Sequence, residues 1–148
     1  MKMQWNLFLL ILTGQCFFVM CVDHEDQIIL IKEKKTWEEA LDYCRENHHD
    51  LVSITNQTQQ TWVEGKVGTT MTESTGDAGT DTGSIWLGLR YTCTLGIWFW
   101  VNGEVLNYDN FTSTPSPDCN SAAAMQKVDP YKWVKNPDDQ KFYFICVE

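Results

Sequence analysis

The six cysteines of this 148-residue chain constrain its fold more than any other feature. So many thiols in a short chain indicate a disulfide-stapled domain of an oxidising compartment. Two of the six lie in an apolar N-terminal segment, and the other four are Cys44, Cys93, Cys119 and Cys146. Four cysteines allow three pairings, and their spacing alone does not choose among them. The length accommodates one ordinary domain with a single core.

The N-terminal segment has the pattern of a secretory signal peptide. A lysine precedes an apolar run from Trp5 to Leu12, and no acidic residue occurs before Asp23. The pattern predicts a signal peptide over residues 1–21, cleaved after Cys21 or, alternatively, after Cys16. An uncleaved signal anchor is the other alternative, because most of the segment is apolar. We expect residues 22–148 to form a secreted, extracellular domain that has no membrane contact after cleavage.

Composition and charge exclude some partners. The formal net charge is -9, which is the wrong sign for binding a nucleic-acid backbone, so no nucleic acid is expected. Aromatic residues make up 13% of the chain, enough large apolar area to build a core.

The pattern of apolar residues predicts two helices. Thr36 is a suitable N-cap with Glu39 three residues later, and the apolar residues that follow recur at helical spacing from Trp37 to Cys44. A second helix is predicted from about Gln57 to Val67.

Short apolar runs predict strands, and two polar stretches predict loops. The predicted strands are Ile28–Ile31, Leu51–Ile54, Ile85–Leu89, Trp98–Val101 and Phe142–Cys146. The predicted exposed loop is Gly68–Ser84, and Leu106–Lys127 is expected to be polar and turn-rich. Trp98 and Trp100 share one strand face, which favours core packing over a stacking platform for sugar rings.

Three short motifs resemble the C-type lectin-like domain family. They are Thr36-Trp37-Glu38-Glu39-Ala40 with Tyr43-Cys44, Trp86-Leu87-Gly88-Leu89, and Phe144-Ile145-Cys146. The resemblance extends from about Ile29 to Cys146, and the stretch Leu89–Thr94 resembles small secreted single-domain fish members. It implies an α+β fold in which two helices pack on small antiparallel sheets beside a long irregular loop region.

The resemblance also implies disulfides. The family joins its first helix to its last strand, which here means Cys44 to Cys146. The usual second bridge needs a cysteine shortly after Trp133, and this sequence has none there. That departure leaves Cys93 and Cys119 as the expected second pair.

Sugar-binding members of the family hold calcium through carboxylate and amide oxygens. The resemblance aligns those ligand motifs with Thr114-Pro115-Ser116 and Trp133-Val134-Lys135. Lys135 would repel Ca²⁺ and offers no lone pair, so we expect no cofactor and no ordinary calcium site. The alternative is a shifted site in which Asn136 and Asp138 replace the lost ligands, assisted by Asp109 or Asp118.

The sequence thus favours a recognition module that binds a glycan or an extracellular protein through its long-loop face. The candidate contact residues are Tyr108, Asp109, Thr114, Ser116, Asp118, Tyr131 and Lys132. One alternative is a calcium-dependent lectin that uses the shifted ligands. Another is a secreted protein with a structural, ice-binding or inhibitory role. The oligomeric state stays open.

No catalytic residues are predicted. The only histidine cluster, His48-His49-Asp50, lacks a free nucleophile because Cys44 is assigned to a disulfide. Sequons at Asn56 and Asn110 predict two glycosylation sites, and both asparagines should then be exposed.

Overall fold

The computed structural model describes residues 27–72 and 83–148. Its helices and strands are β1 (Ile28–Lys35), α1 (Trp37–Asn47), β2 (Asp50–Leu51), α2 (Gln57–Thr72), β3 (Ser84–Thr92), β4 (Ile97–Trp100), β5 (Ser121–Gln126), β6 (Trp133–Pro137) and β7 (Phe142–Val147). The predicted signal peptide, residues 1–21, lies outside the described residues.

The described strands form one seven-stranded sheet. Its main path runs β1-β7-β3-β5-β6, with β2 paired to β7 and β4 paired to β3. Every pairing is antiparallel except that of β3 with β7. The α+β class is confirmed, and the small sheets expected from the sequence are joined into a single sheet by β7 and β3.

The sheet is packed on both faces by separate apolar clusters. Cluster A lies under α2 and the long loop and includes Val63, Trp100 and Trp133. Cluster B lies under α1 and includes Trp37 and Phe144. A strand covered on both faces needs apolar residues at every position rather than at alternate ones.

Helix α1 has the boundaries and cap that the sequence predicts. Thr36 Oγ1 accepts a hydrogen bond from the Glu39 N–H at 3.3 Å, and the Glu39 carboxylate accepts one from the Thr36 N–H at 3.0 Å. The helix buries Trp37, Ala40 and Cys44, and the indole N–H of Trp37 donates to the Leu87 carbonyl at 2.8 Å. The capping box therefore starts the helix at the point where its apolar face meets β3.

Helix α2 is longer than predicted, so residues 68–72 are helical rather than part of a loop. Threonine side chains in this last turn donate hydrogen bonds back to carbonyls four residues earlier, which lets polar residues continue the helix. Thr69 donates to Gly65 at 2.9 Å and Thr70 donates to Lys66 at 2.7 Å. The predicted loop also loses Ser84 to β3, and its central residues 73–82 lie outside the described residues.

The stretch 106–127, expected to be polar and turn-rich, ends in a buried strand. In β5 the residues 121–125 are all buried, and three of them are consecutive alanines. Because alanine has low strand propensity, the sequence did not predict this strand. The small alanine side chains fit between the two clusters. Trp98 and Trp100 are only 8% and 0% exposed, so their face belongs to the core and offers no stacking platform.

Two disulfides hold this fold, and their pairing matches the expectation. Cys44 is bonded to Cys146 and joins α1 to β7 across a separation of 102 residues. Cys93 is bonded to Cys119 across 26 residues and joins the end of β3 to the residues just before β5.

Candidate functional site

The long loop, residues 101–120, lies over a floor of aromatic rings. Trp133 is fully buried at its centre and makes edge-on contacts with Trp100, Tyr108 and Phe111 at centroid distances of 5.4, 5.7 and 5.6 Å. The main chain of the loop also pairs with β6. The Trp133 N–H donates to the Asn110 carbonyl at 3.0 Å, and Trp133 O accepts from Thr112 at 3.1 Å. The first half of the loop is thus fixed by burial and hydrogen bonds.

A buried amide on α2 connects that floor to the helix. Gln60 is fully buried, and its Oε1 accepts from the Trp133 indole N–H at 3.0 Å. Its Nε2 donates to Glu64 Oε1 at 2.7 Å and to the Tyr131 carbonyl at 3.4 Å. Since a buried amide must satisfy its hydrogen bonds, Gln60 fixes the position of β6 relative to α2.

Lys135 tethers the second half of the loop. Its ammonium group donates to Ser116 Oγ at 2.9 Å and to the Ser116 carbonyl at 3.4 Å, and it lies 3.7 Å from Asp118 Oδ2. These contacts directly connect the two segments that the sequence aligned with calcium-ligand motifs. A side-chain cation therefore occupies a bridging position between them.

The register of β6 places Asn136, one of the alternative calcium ligands, on the sheet face opposite Lys135. Lys135 is paired with Ala123 of cluster A, whereas Asn136 is paired with Ala122 of cluster B. Side chains of directly paired residues share a face, so Asn136 projects away from the long loop. Asp109 and Asp118 lie within the long loop, and Asp118 is the one in contact with Lys135.

Asp138 already has a cationic partner. Arg90 donates to Asp138 Oδ2 at 2.9 Å and to Glu38 Oε1 at 3.1 Å, and its guanidinium lies 5.0 Å from the centre of the Trp37 ring. The described residues contain no group of three or more His, Cys, Asp or Glu side chains that could hold a metal ion. The Asp138 carboxylate is therefore engaged by Arg90 rather than open to a metal ion.

Three of the candidate contact residues, Tyr108, Tyr131 and Lys132, are half-buried rather than exposed. Tyr108 donates from its hydroxyl to Gln57 Oε1 at 2.9 Å. Burial, reinforced by the negative charges of Glu64 and Asp109, raises the pKa of Tyr108. The sequence could not distinguish these residues from surface ones, because their rings become covered only when α2 and the loop pack together.

The other predicted contact residues are exposed: Asp109, Thr114, Ser116 and Asp118. Asp109 and Asp118 each accept a hydrogen bond from a backbone N–H two residues later, at 2.7 and 3.3 Å. These turns hold the carboxylates at the loop surface. The structure thus brings the four residues together on one loop, with Lys135 beneath its second half.

The two sequons differ in their surroundings. Asn56 is exposed and caps α2, with its Oδ1 accepting from the Gln59 N–H at 2.9 Å. Asn110 is half-buried, and its Oδ1 accepts from Lys132 Nζ at 2.7 Å while its Nδ2 donates to the Tyr131 carbonyl at 3.4 Å. The expectation that both asparagines are exposed holds only for Asn56.

Sequence reasoning missed Gln60 and Arg90. Gln60 lies three residues before Val63 on the buried face of α2, and this apolar spacing was the one signal that could have predicted its burial. Arg90 ends an apolar run in β3 and reaches carboxylates 52 and 48 residues distant in sequence. Such long-range ion pairs leave no local pattern.

These features define a class: a disulfide-linked α+β domain with an irregular loop supported by aromatic rings. The Lectin C-type domain family matches residues 33–148. The chain belongs to the C-type lectin domain family, as its sequence motifs indicated.

Known proteins similar to this chain include human lithostathine-1-alpha, which is 24% identical over 119 residues, covering 78% of this chain and 67% of lithostathine. The crystal structure of CEL-IV superposes with a TM-score of 0.67 at 20% identity, over 82% of this chain and 88% of CEL-IV. A calcium-independent type II antifreeze protein superposes with a TM-score of 0.63 at 19% identity, over 82% and 84% of the two chains. At these identities the two superpositions establish the fold.

The relatives are binding proteins of the C-type lectin-like fold rather than enzymes. Among the described residues, no helix has the length and apolar character needed to cross a membrane.

Proposed function

We propose that this protein is a secreted recognition module that binds its ligand through the long loop without calcium. The observation that carries the proposal is the tether from Lys135 to Ser116. A calcium ion at this position would require six to eight oxygen ligands, and the lysine supplies a positive charge with no lone pair.

The tether takes over one structural task of a metal ion. A bound cation would draw the loop and β6 together, and Lys135 Nζ does so through its contacts with Ser116 and Asp118. The Lys135 side chain is 26% exposed and that of Asp118 is 52% exposed, so solvent screens the ion pair and the hydrogen bond to Ser116 is the firmer contact. The loop can therefore keep its conformation in the absence of metal.

The ligand we propose is a glycan or an extracellular protein. The exposed part of the loop presents carboxylates at Asp109 and Asp118 and a hydroxyl at Thr114, which are groups that bond sugar hydroxyls or peptide amides. The aromatic floor supports the first half of the loop, which carries Asp109, and the Lys135 tether supports the second half, which carries Thr114 and Asp118. Less ordering is then needed on binding.

Two measurements test the proposal. Calorimetric titration of the protein with Ca²⁺ should show no saturable binding, and retention on a glycan array should be unchanged by EDTA. Saturable Ca²⁺ binding in the micromolar range, or array retention that EDTA abolishes, would support the calcium-dependent alternative instead.

A matched pair of variants tests the tether itself. Lys135→Gln removes the charge that bridges the loop, whereas Lys141→Gln removes an exposed charge near α1. We expect ligand retention to fall in the first variant and to stay unchanged in the second. Equal retention in both would show that the lysine does not shape the binding surface.

Secretion and glycosylation belong to the same proposal. We expect the signal peptide, residues 1–21, to be cleaved. We also expect a glycan on Asn56, because Asn56 is exposed and only its Oδ1 is used as the helix cap. We expect little glycan on Asn110, since both ends of its amide are hydrogen-bonded. N-terminal sequencing and glycopeptide mapping of protein expressed in eukaryotic cells decide both points. A retained Met1 or equal glycan occupancy at the two sites would contradict them.

A further inference from the structure

The two disulfides differ in their access to solvent. Cys44 and Cys146 are 0% exposed and belong to cluster B. Cys93 and Cys119 are both exposed and line a cavity of about 300 Å³ together with Arg90 and other residues. A reductant in solution can reach the second bridge without unfolding the domain, whereas the first bridge is protected by the core.

The exposed bridge holds the end of the long loop. Between Thr112, which is bonded to Trp133, and the start of β5, two side-chain bonds join the loop to other elements, from Lys135 on β6 and from Cys93 at the end of β3. One main-chain bond adds to them at the very end of the loop, where the Asn120 carbonyl accepts from the Asp138 N–H at 3.0 Å. Other side-chain hydrogen bonds of this segment are short-range, such as Ser121 Oγ to the Asp118 carbonyl at 2.7 Å. Loss of the bridge would leave the lysine as the main side-chain tether of residues 113–119.

The chemistry is a two-electron thiol–disulfide exchange. One thiolate of a dithiol reductant attacks Cys93 or Cys119, forms a mixed disulfide and releases the other cysteine as a thiolate, which takes a proton from water. The second thiol of the reductant then attacks the mixed disulfide. The protein gains two thiols, and the reductant leaves as an internal disulfide.

We propose that Cys93–Cys119 is a reducible clamp: a dithiol reductant opens it while Cys44–Cys146 stays closed, and opening loosens the second half of the long loop. Reduction would thereby regulate the surface through which the protein recognises its ligand. This regulatory meaning rests on the proposed function, whereas the clamp can be measured without any ligand.

Limited reduction tests the selectivity. The folded protein is treated with dithiothreitol, the free thiols are blocked with iodoacetamide, and the labelled peptides are quantified by mass spectrometry over time. We expect Cys93 and Cys119 to be labelled about ten-fold faster than Cys44 and Cys146, or more, because labelling of the buried pair requires opening of the core. Comparable rates for the two pairs would overturn the proposal.

Hydrogen exchange tests the effect on the loop. After selective reduction, the hydrogen-bonded amides of Asn120 and Asp138, which hold the end of the loop, should exchange several-fold faster, while those of α1 and β7 should keep their protection. The double variant Cys93→Ser with Cys119→Ser should reproduce the faster exchange without reductant. Unchanged exchange at Asn120 and Asp138 after reduction would show that the bridge does not hold the loop. Neither readout uses a ligand, so failure of the proposed recognition function would be seen separately.

Discussion

The region around Cys44–Cys146 and the region of the long loop are held by different physical means. In the first, α1 and the strands β1 and β7 bury a disulfide and the rings of Trp37 and Phe144 in cluster B. In the second, an aromatic floor carries a loop whose outer half depends on an exposed disulfide and one lysine. The region around Cys44–Cys146 therefore provides stability, whereas the long loop is free to vary in its contacts.

The largest expected effect is the loss of unfolding free energy when either disulfide is removed. Replacing Cys44 and Cys146 by alanine should lower the free energy of unfolding by about 4 to 5 kcal/mol, and replacing Cys93 and Cys119 should lower it by about 3.5 kcal/mol. The difference arises because the first bridge closes a loop of 102 residues and the second one of 26 residues. Urea unfolding of both double variants measures it. A larger loss of unfolding free energy on removal of the exposed bridge than of the buried one would contradict this ranking.

A smaller effect tests whether the loop region also has a buried anchor. Gln60→Leu removes the acceptor of the Trp133 indole N–H and should cost roughly 1 to 3 kcal/mol, because that donor is left buried without a partner. Lys66→Leu on the same helix is the control, since the Lys66 side chain is exposed and its replacement should change stability by less than about 0.5 kcal/mol. Urea unfolding followed by tryptophan fluorescence separates the two. Equal costs would mean that Gln60 is not an anchor.

The smallest expected effect concerns the N-cap of helix α1, the helix that packs on cluster B. Thr36→Ala removes the N-cap of α1 and should cost about 1 kcal/mol at neutral pH. The backbone N–H of Thr36 holds the pKa of Glu39 below its usual value, so this carboxylate stabilises the fold above its unfolded-state pKa. That contribution is lost as the pH falls through the lowered pKa.

Unfolding measured between neutral and acidic pH checks the coupling between the cap and the carboxylate. Glu39→Gln should lack this part of the acid destabilisation while keeping helix α1. A wild-type pH profile in that variant would show that the capping box contributes nothing to it.

The sequence predicted the fold best where local and long-range signals agree. The capping box at Thr36 and the apolar spacing from Trp37 to Cys44 defined α1 almost to the residue, because a helix cap is a local interaction. The run Ile85–Leu89 likewise predicted β3, since a strand buried on both faces is continuously apolar.

The failures have equally physical causes. Strand β5 was not predicted because alanine has low strand propensity. Its alanines suit the position between the two clusters, which only the structure shows. The burial of Tyr108 and Tyr131 depends on the packing of α2 against the loop, which no local pattern encodes. The sequence predicted that Lys135 is incompatible with a calcium site. Its contacts with Ser116 and Asp118 could be identified only from the structure.

The pairing of Ile28 with Val147 has a practical consequence for how this domain is attached to other things. Because β1 and β7 are adjacent at one side of the sheet, chain entering at residue 28 and chain leaving after residue 147 meet at the same place. The long loop is bonded to β6, the strand at the opposite edge of the sheet's main path. A tag, surface linker or fused domain placed at either end should therefore present the loop outward in the same orientation.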